Sequence, residues 1–246
     1  MRIFEVLFVL AAGIASVTYG RINSQPAANI FPGGLQLSNY DPKVRPNAGG
    51  RATEIDVTMY AISAEWENHA LQTTLYLRQT WNDERLESRQ LSDTTYGPEV
   101  ENAIWLPDTT FGTATSVKRF DNEGMIRISR NGNVLWSQRF TVETPCRCMV
   151  QRLSETNPHR TNCTVVVESY GHSMHDLSYS WATSNAVTKN EHSIVKRAFA
   201  NKHVIELTSG SYSRLEAILY VETQPMYRLE SCIDRCFAGN GIVNRG

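Results

Sequence analysis

An excess of charge of either sign is the first thing missing from this sequence: 24 Lys and Arg stand against 25 Asp and Glu, a formal net charge of -1. No run of basic residues breaks the balance. Nothing therefore offers the electrostatic footprint that nucleic acid or an anionic membrane surface requires. Glycine and proline are scarce, 15 and 9 of 246 residues, which excludes a collagen-like or low-complexity chain. No internal repeat is present. Beyond the N-terminus, charge interrupts every apolar stretch within a few residues, so no segment reads as a membrane-spanning helix. Signatures of catalysis are missing as well: there is no Gly-x-Ser-x-Gly elbow, no phosphate-binding loop and no evident acid and base pair. His172 and His175 lack a third ligand at a recognisable spacing. Neither a metal nor a cofactor is implied, and no enzymatic activity is expected.

What is present begins with a targeting pattern. Arg2 precedes an apolar run over residues 6–15, and small residues near Thr18 and Gly20 suit a signal-peptidase cut. The run is shorter than the roughly 20 residues of a spanning helix, which favours a cleaved signal peptide at 1–20 over a retained anchor. The mature chain is then expected to be secreted, extracellular and soluble, in a setting where disulfides persist. Its five cysteines are Cys146, Cys148, Cys163, Cys232 and Cys236. An odd count leaves one thiol over, or one bond between chains.

Hydrophobic side chains make up 41% of the chain, ample for a core, and their spacing is that of strands. Ile55, Val57, Met59 and Ala61 alternate with Asp56, Thr58 and Tyr60, the two-residue period of a half-buried strand. Leu75 and Leu77 share one face, so Tyr76 and Arg78 project together from the other. Ile126 and Ile128 lead into Asn131-Gly132, and residues 134–140 lead away. That is a hairpin signal, because Asn-Gly accepts the positive φ angles of a type I′ turn. Further alternating runs cover 165–170 and, after a Ser209-Gly210-Ser211 turn, 215–221. Short strands without a sustained helical pattern predict an antiparallel sandwich or barrel. One domain from about residue 29 to 229, within a mature span of 21–230, and a Cys-containing tail at 231–246 are the economical division.

A family resemblance carries the reading further. Tyr40-Asp41-Pro42-Lys43-Val44-Arg45-Pro46-Asn47, then Leu77 to Leu86 with Trp81-Asn82-Asp83-Glu84-Arg85, then Ile104-Trp105-Leu106-Pro107-Asp108 resemble the successive signatures of Cys-loop receptor extracellular domains. Arg127 to Leu135 and Glu168-Ser169-Tyr170-Gly171 continue the match, in wording most similar to the glycine receptor and its anion-channel relatives. The resemblance implies an antiparallel β-sandwich of roughly ten strands that assembles as a homopentamer, with a small amine or amino-acid-like ligand bound between subunits. It also implies which residues meet that ligand. Tyr76, Arg78 and Ser137 match the complementary face, where the arginine holds a carboxylate by its planar fork. Glu168, Ser169 and Tyr170 match the principal-face loop that meets an amino group, Ser209 and Tyr212 match the closing flap, and Phe111 adds a wall. Without that context, a Tyr-x-Arg pair on a strand is a solvated face. Trp81 and Trp105 are expected in the core, and Asp108 and Arg127 match a structural pair.

The same resemblance marks departures. Cys148 and Cys163 enclose a loop of 14 residues, near the family's spacing, and are the first choice for the Cys-loop bond; alignment to the preceding strand gives Cys146 with Cys163 instead. Cys232 and Cys236 could pair locally, take the spare thiol or crosslink subunits. The family's apolar loop tip is replaced by Ser154 to His159, a polar stretch that resembles the soluble acetylcholine-binding proteins and suits a domain with no membrane part to press on. Asn162-Cys163-Thr164 is a glycosylation sequon. In the flap, Leu207 replaces a tyrosine and Ser209 a threonine, while His203 and Arg214 stand where glycine receptors carry a second disulfide. A structural ring that has lost the ligand, or a pocket for a larger apolar one, is the alternative.

Overall fold

The computed structural model describes residues 30–67, 70–89, 93–147 and 160–222. The expected signal peptide, Cys148, the loop tip at 154–159 and the tail cysteines Cys232 and Cys236 lie outside them. The strands are β1 (Ile30–Phe31), β2 (Leu35–Gln36), β3 (Thr53–Glu67), β4 (Ala70–Asn82), β5 (Thr94–Tyr96), β6 (Thr109–Thr110), β7 (Ser116–Arg119), β8 (Met125–Ile128), β9 (Asn133–Arg147), β10 (Arg160–Ser169), β11 (Leu177–Trp181), β12 (Val187–Lys189), β13 (Val195–Leu207) and β14 (Gly210–Glu222). The excess over the roughly ten expected comes from pieces of two to four residues. No helix among the described residues is long and apolar enough to cross a membrane.

The long strands follow the order β11-β3-β4-β9-β10-β14-β13. β9 binds β4 along its length, and its last residues, Cys146 and Arg147, pair with Cys163 and Asn162 of β10. It thereby joins two layers, whose inward residues form one core. Ile55, Val57 and Met59 of β3 and Leu71, Leu75 and Leu77 of β4 meet Val165 and Val167 of β10 and Leu215, Leu219 and Val221 of β14. The expected alternation holds along β4, where even-numbered residues from Gln72 to Asn82 are the more exposed. Antiparallel pairing is not universal: β11 and β12 run parallel to β3, so the edge of the first layer is mixed.

Three of the sequence motifs meet in one buried cluster. The Tyr40 hydroxyl donates to Asp83 Oδ2 at 2.6 Å and accepts from the Trp105 amide at 2.9 Å and Arg85 Nη2 at 3.0 Å. Arg85 grips the buried Asp83 carboxylate with Nε and Nη2, at 2.8 and 2.7 Å. Burial, reinforced by the bond to Asp83, pushes the Tyr40 phenol well above the usual tyrosine range. Trp81 and Trp105 pack edge to face with centroids 5.8 Å apart, both in the core. Arg45 of the first motif reaches Asp176 at 2.8 Å, which ties the loop before β3 to the loop after β10.

The hairpin joining β8 and β9 forms where expected, with a different turn. Only Gly132 takes a positive φ, 75°, and Asn131 does not, so the turn is not type I′. Instead the Gly132 amide donates to Ser129 O at 3.0 Å and the Ser129 amide to Asn133 O at 2.9 Å, the longer hairpin loop that ends in a left-handed glycine. A Cβ on Gly132 would lie 2.4 Å from Asp83 O, so this turn also packs against the motif cluster.

The Cys-loop bond is a correction to the first choice: Cys163 is bonded to Cys146, not Cys148, with Cα atoms 4.3 Å apart. The register is the reason, since Cys146 and Cys163 stand directly opposite each other on β9 and β10.

Candidate functional site

One half of the site is written into β4 and β9. Alternation turns Tyr76 and Arg78 away from the core, and the register sets Ser137 directly opposite Arg78 and Arg139 opposite Tyr76. The Arg78 guanidinium lies 5.9 Å from the centroid of the Tyr76 ring. Among the described residues no carboxylate pairs with it. Its neighbour Arg139 is engaged, bonded to Glu123 at 2.6 Å and stacked 4.6 Å over the Phe120 ring. Arg139 went unremarked in the sequence, although the two-residue step from Ser137 puts it on the same face.

The other half lies at the end of β10 and on the β13–β14 hairpin. Tyr170 is 86% exposed, and its loop is pinned by Asp108. The Asp108 carboxylate accepts the Ser169 hydroxyl at 2.6 Å and the Gly171 amide at 2.8 Å, while its carbonyl accepts the Tyr170 amide at 3.2 Å. The Ser169 hydroxyl accepts from the His172 amide in turn, so it builds the loop rather than facing a ligand. Asp108 thus works with Ser169 and Gly171, and Arg127 turns instead to Thr95; the two are not partners. On the hairpin the Tyr212 hydroxyl donates to Ser209 Oγ at 3.0 Å. The turn sits at Thr208 and Ser209, with Leu207 paired to Gly210.

Two expected residues behave differently. Phe111 is 8% exposed and packs edge to face on Phe140 at 5.1 Å, so it belongs to the core and not to a wall of the site. Glu168 is already held: Arg214 Nε and Nη2 donate to Oε2 and Oε1 at 2.7 and 3.2 Å. Sequence reasoning saw in Arg214 only a vacated cysteine position. His203 and Arg214 do stand directly opposite each other, as a cross-strand disulfide would need. His172 and His175 both approach Asp176, at 4.0 and 3.5 Å. Asn162 is half-buried in β10 beside the disulfide.

Among the described residues no hydrogen bond or ion pair joins the two halves. Behind them, a buried polar chain runs from β4 to the Tyr170 loop: Thr109 Oγ1 bonds both Gln79 Oε1 and, at 2.8 Å, the Tyr179 hydroxyl, and Thr109 pairs with Ser169.

Comparison with known proteins agrees with this architecture. The model of the neurotransmitter-gated ion-channel ligand binding domain matches residues 35–229. A gamma-aminobutyric acid receptor subunit beta from Lymnaea stagnalis is 30% identical over 210 residues, which are 76% of this chain and 41% of that protein. The subunit beta-4 from Gallus gallus is 30% identical over 195 residues, 73% of this chain and 39% of its own length. The chain spans about two fifths of the curated relatives it matches. These are receptors, not enzymes. With a two-layer strand order, a motif cluster that closes on itself and a match over most of its length, the chain belongs to the neurotransmitter-gated ion-channel ligand-binding domain family.

Proposed function

We propose that this chain is a secreted, soluble ligand-binding module that assembles as a homopentamer and binds a small amino-acid-like ligand between neighbouring copies. The observation that carries the reading is the free Arg78 guanidinium beside Tyr76 and opposite Ser137. An exposed arginine that no acid among the described residues engages, next to an aromatic ring and a hydroxyl, is suited to a ligand carboxylate. Tyr170 and Tyr212, from the opposite face of a neighbouring copy, supply the rings that enclose it. Motif wording suggests a glycine-type site and the relatives are named for gamma-aminobutyric acid; both names fit a small amino acid.

A second reading is a ring that has lost neurotransmitter binding or accepts a larger apolar ligand. The occupied Glu168 and the exposed Leu207 favour it. Calorimetry against a panel of small amino acids and amines, repeated with Arg78→Ala, separates the two. The expected result is micromolar to millimolar binding of a carboxylated ligand, weakened about tenfold or more by the substitution. Silence across the panel, or indifference to Arg78→Ala, sinks the carboxylate clamp.

A further inference from the structure

Behind Arg78, Tyr170 and Tyr212 lies one polar network at the core. Gln79, next to Arg78 on β4, turns inward and is 0% exposed. Thr109 stands opposite Ser169, the residue before Tyr170, and Ser213, next to Tyr212 on β14, is buried. Tyr179 of β11, itself fully buried, joins them. Its hydroxyl lies 2.8 Å from Thr109 Oγ1, and its amide donates to Ser213 Oγ at 2.8 Å. Thr109 gives its one hydroxyl hydrogen to Gln79 Oε1, so the Tyr179 hydroxyl is the donor to Thr109. Burial pushes the Tyr179 phenol above the usual tyrosine range, which keeps that donor protonated at neutral pH.

The two halves of the site depend on this network unequally. Arg78 sits within β4, which is paired along its length to β3 on one side and β9 on the other, so the sheet itself holds it. Tyr170 lies beyond the end of β10, beside a β6 of only two residues. Thr109 opens β6 directly after Asp108, whose carboxylate pins the Tyr170 loop. Tyr212 is on a hairpin whose other strand is largely exposed from residue 201 to 207. Around Tyr212 that hairpin meets the body through the Met174 amide, bonded to Ser211 O at 2.7 Å, and through the Tyr179 amide. Resting on the binding function above, we infer that Tyr179 is a positioning residue for the Tyr170 and Tyr212 half of the site, its hydroxyl setting the Tyr170 loop through Thr109.

Tyr179→Phe removes the hydroxyl and keeps the ring that fills the core. Calorimetry of the assembled protein with γ-aminobutyrate, glycine and β-alanine is expected to show binding weakened about tenfold, with the ring of copies intact. Thr109→Val should match it, and Thr109→Ser, which restores a hydroxyl, should bring affinity back to within about threefold of wild type. Co-assembly separates positioning from a general loss of packing. In an equal mixture with Arg78→Ala, the Tyr179→Phe copies still set an intact Arg78 face against an intact Tyr170 and Tyr212 face at about one junction in four. About a quarter of the sites then recover wild-type affinity. Mixed with Tyr212→Ala none recover, because both lesions fall on the same half. Thr109→Val supplies the same test where Tyr179→Phe fails to assemble. Recovery with Tyr212→Ala, no recovery with Arg78→Ala, or unchanged affinity in Tyr179→Phe overturns the inference and leaves the binding function standing. Silence of all three probes on the unmodified protein, or binding unmoved by Arg78→Ala, overturns the binding function and takes the inference with it.

Discussion

Asp83 shows how much of a motif's meaning is a matter of one side chain. Its carboxylate is buried and accepts from Tyr40, from two nitrogens of the Arg85 side chain and from the Arg85 amide. Replacing it with alanine leaves a buried phenol and a half-buried guanidinium without their acceptor. Asp83→Ala is expected to cost about 2 to 4 kcal/mol, read from urea unfolding, with a loss under about 1 kcal/mol showing the cluster to be peripheral. Each motif was visible in the sequence, but their convergence was not, because Tyr40, Asp83 and Trp105 are brought together by topology. The same limit explains the site residues. Tyr76 and Arg78 could be placed on one face, since a two-residue period fixes orientation within a strand. Phe111 could not, because β6 ends one residue earlier and the chain there has no period to follow. Arg214 could not be paired with Glu168, because cross-strand register depends on how two distant segments align.

At the scale of elements, the pairing of β9 with β10 fixes the crosslink. Cys146 and Cys163 are direct neighbours across the two strands, so the choice between Cys146 and Cys148, open from spacing alone, follows from register. Peptide mapping without reduction is expected to recover the Cys146 peptide joined to the Cys163 peptide; a Cys148–Cys163 link would contradict the register. Joint replacement of Cys146 and Cys163 by serine should lower stability by about 3 kcal/mol, the chain-entropy value for a loop of this size. Long strands with strict alternation, β3, β4, β9 and β14, were legible in advance. The parallel addition of β11 and β12 to β3 was not, since runs of five and three residues carry too little pattern to reveal direction.

At the scale of the whole molecule, the two candidate half-sites lie on separate strands, with Arg78 on β4 and Tyr212 on β14, and β9 and β10 between them in the strand order. The proposed closed ring of identical copies would set one half against the other at every junction. It follows that damage to one half can be rescued by a partner that is damaged only in the other. Arg78→Ala destroys the complementary half, and Tyr212→Ala the principal half, so each homogeneous ring should fail to bind. Rings assembled from an equal mixture place an intact Arg78 face against an intact Tyr212 face at about one junction in four. Calorimetry on the mixed rings is therefore expected to recover ligand binding at about a quarter of the wild-type stoichiometry with wild-type affinity, while a simple blend of the two preformed rings recovers none. If the site lay within a single chain, co-assembly would restore nothing, because every copy in the mixture carries one lesion. Recovery thus reports the intersubunit position of the site without requiring the natural ligand, since any carboxylate that binds the unmodified protein serves as the probe.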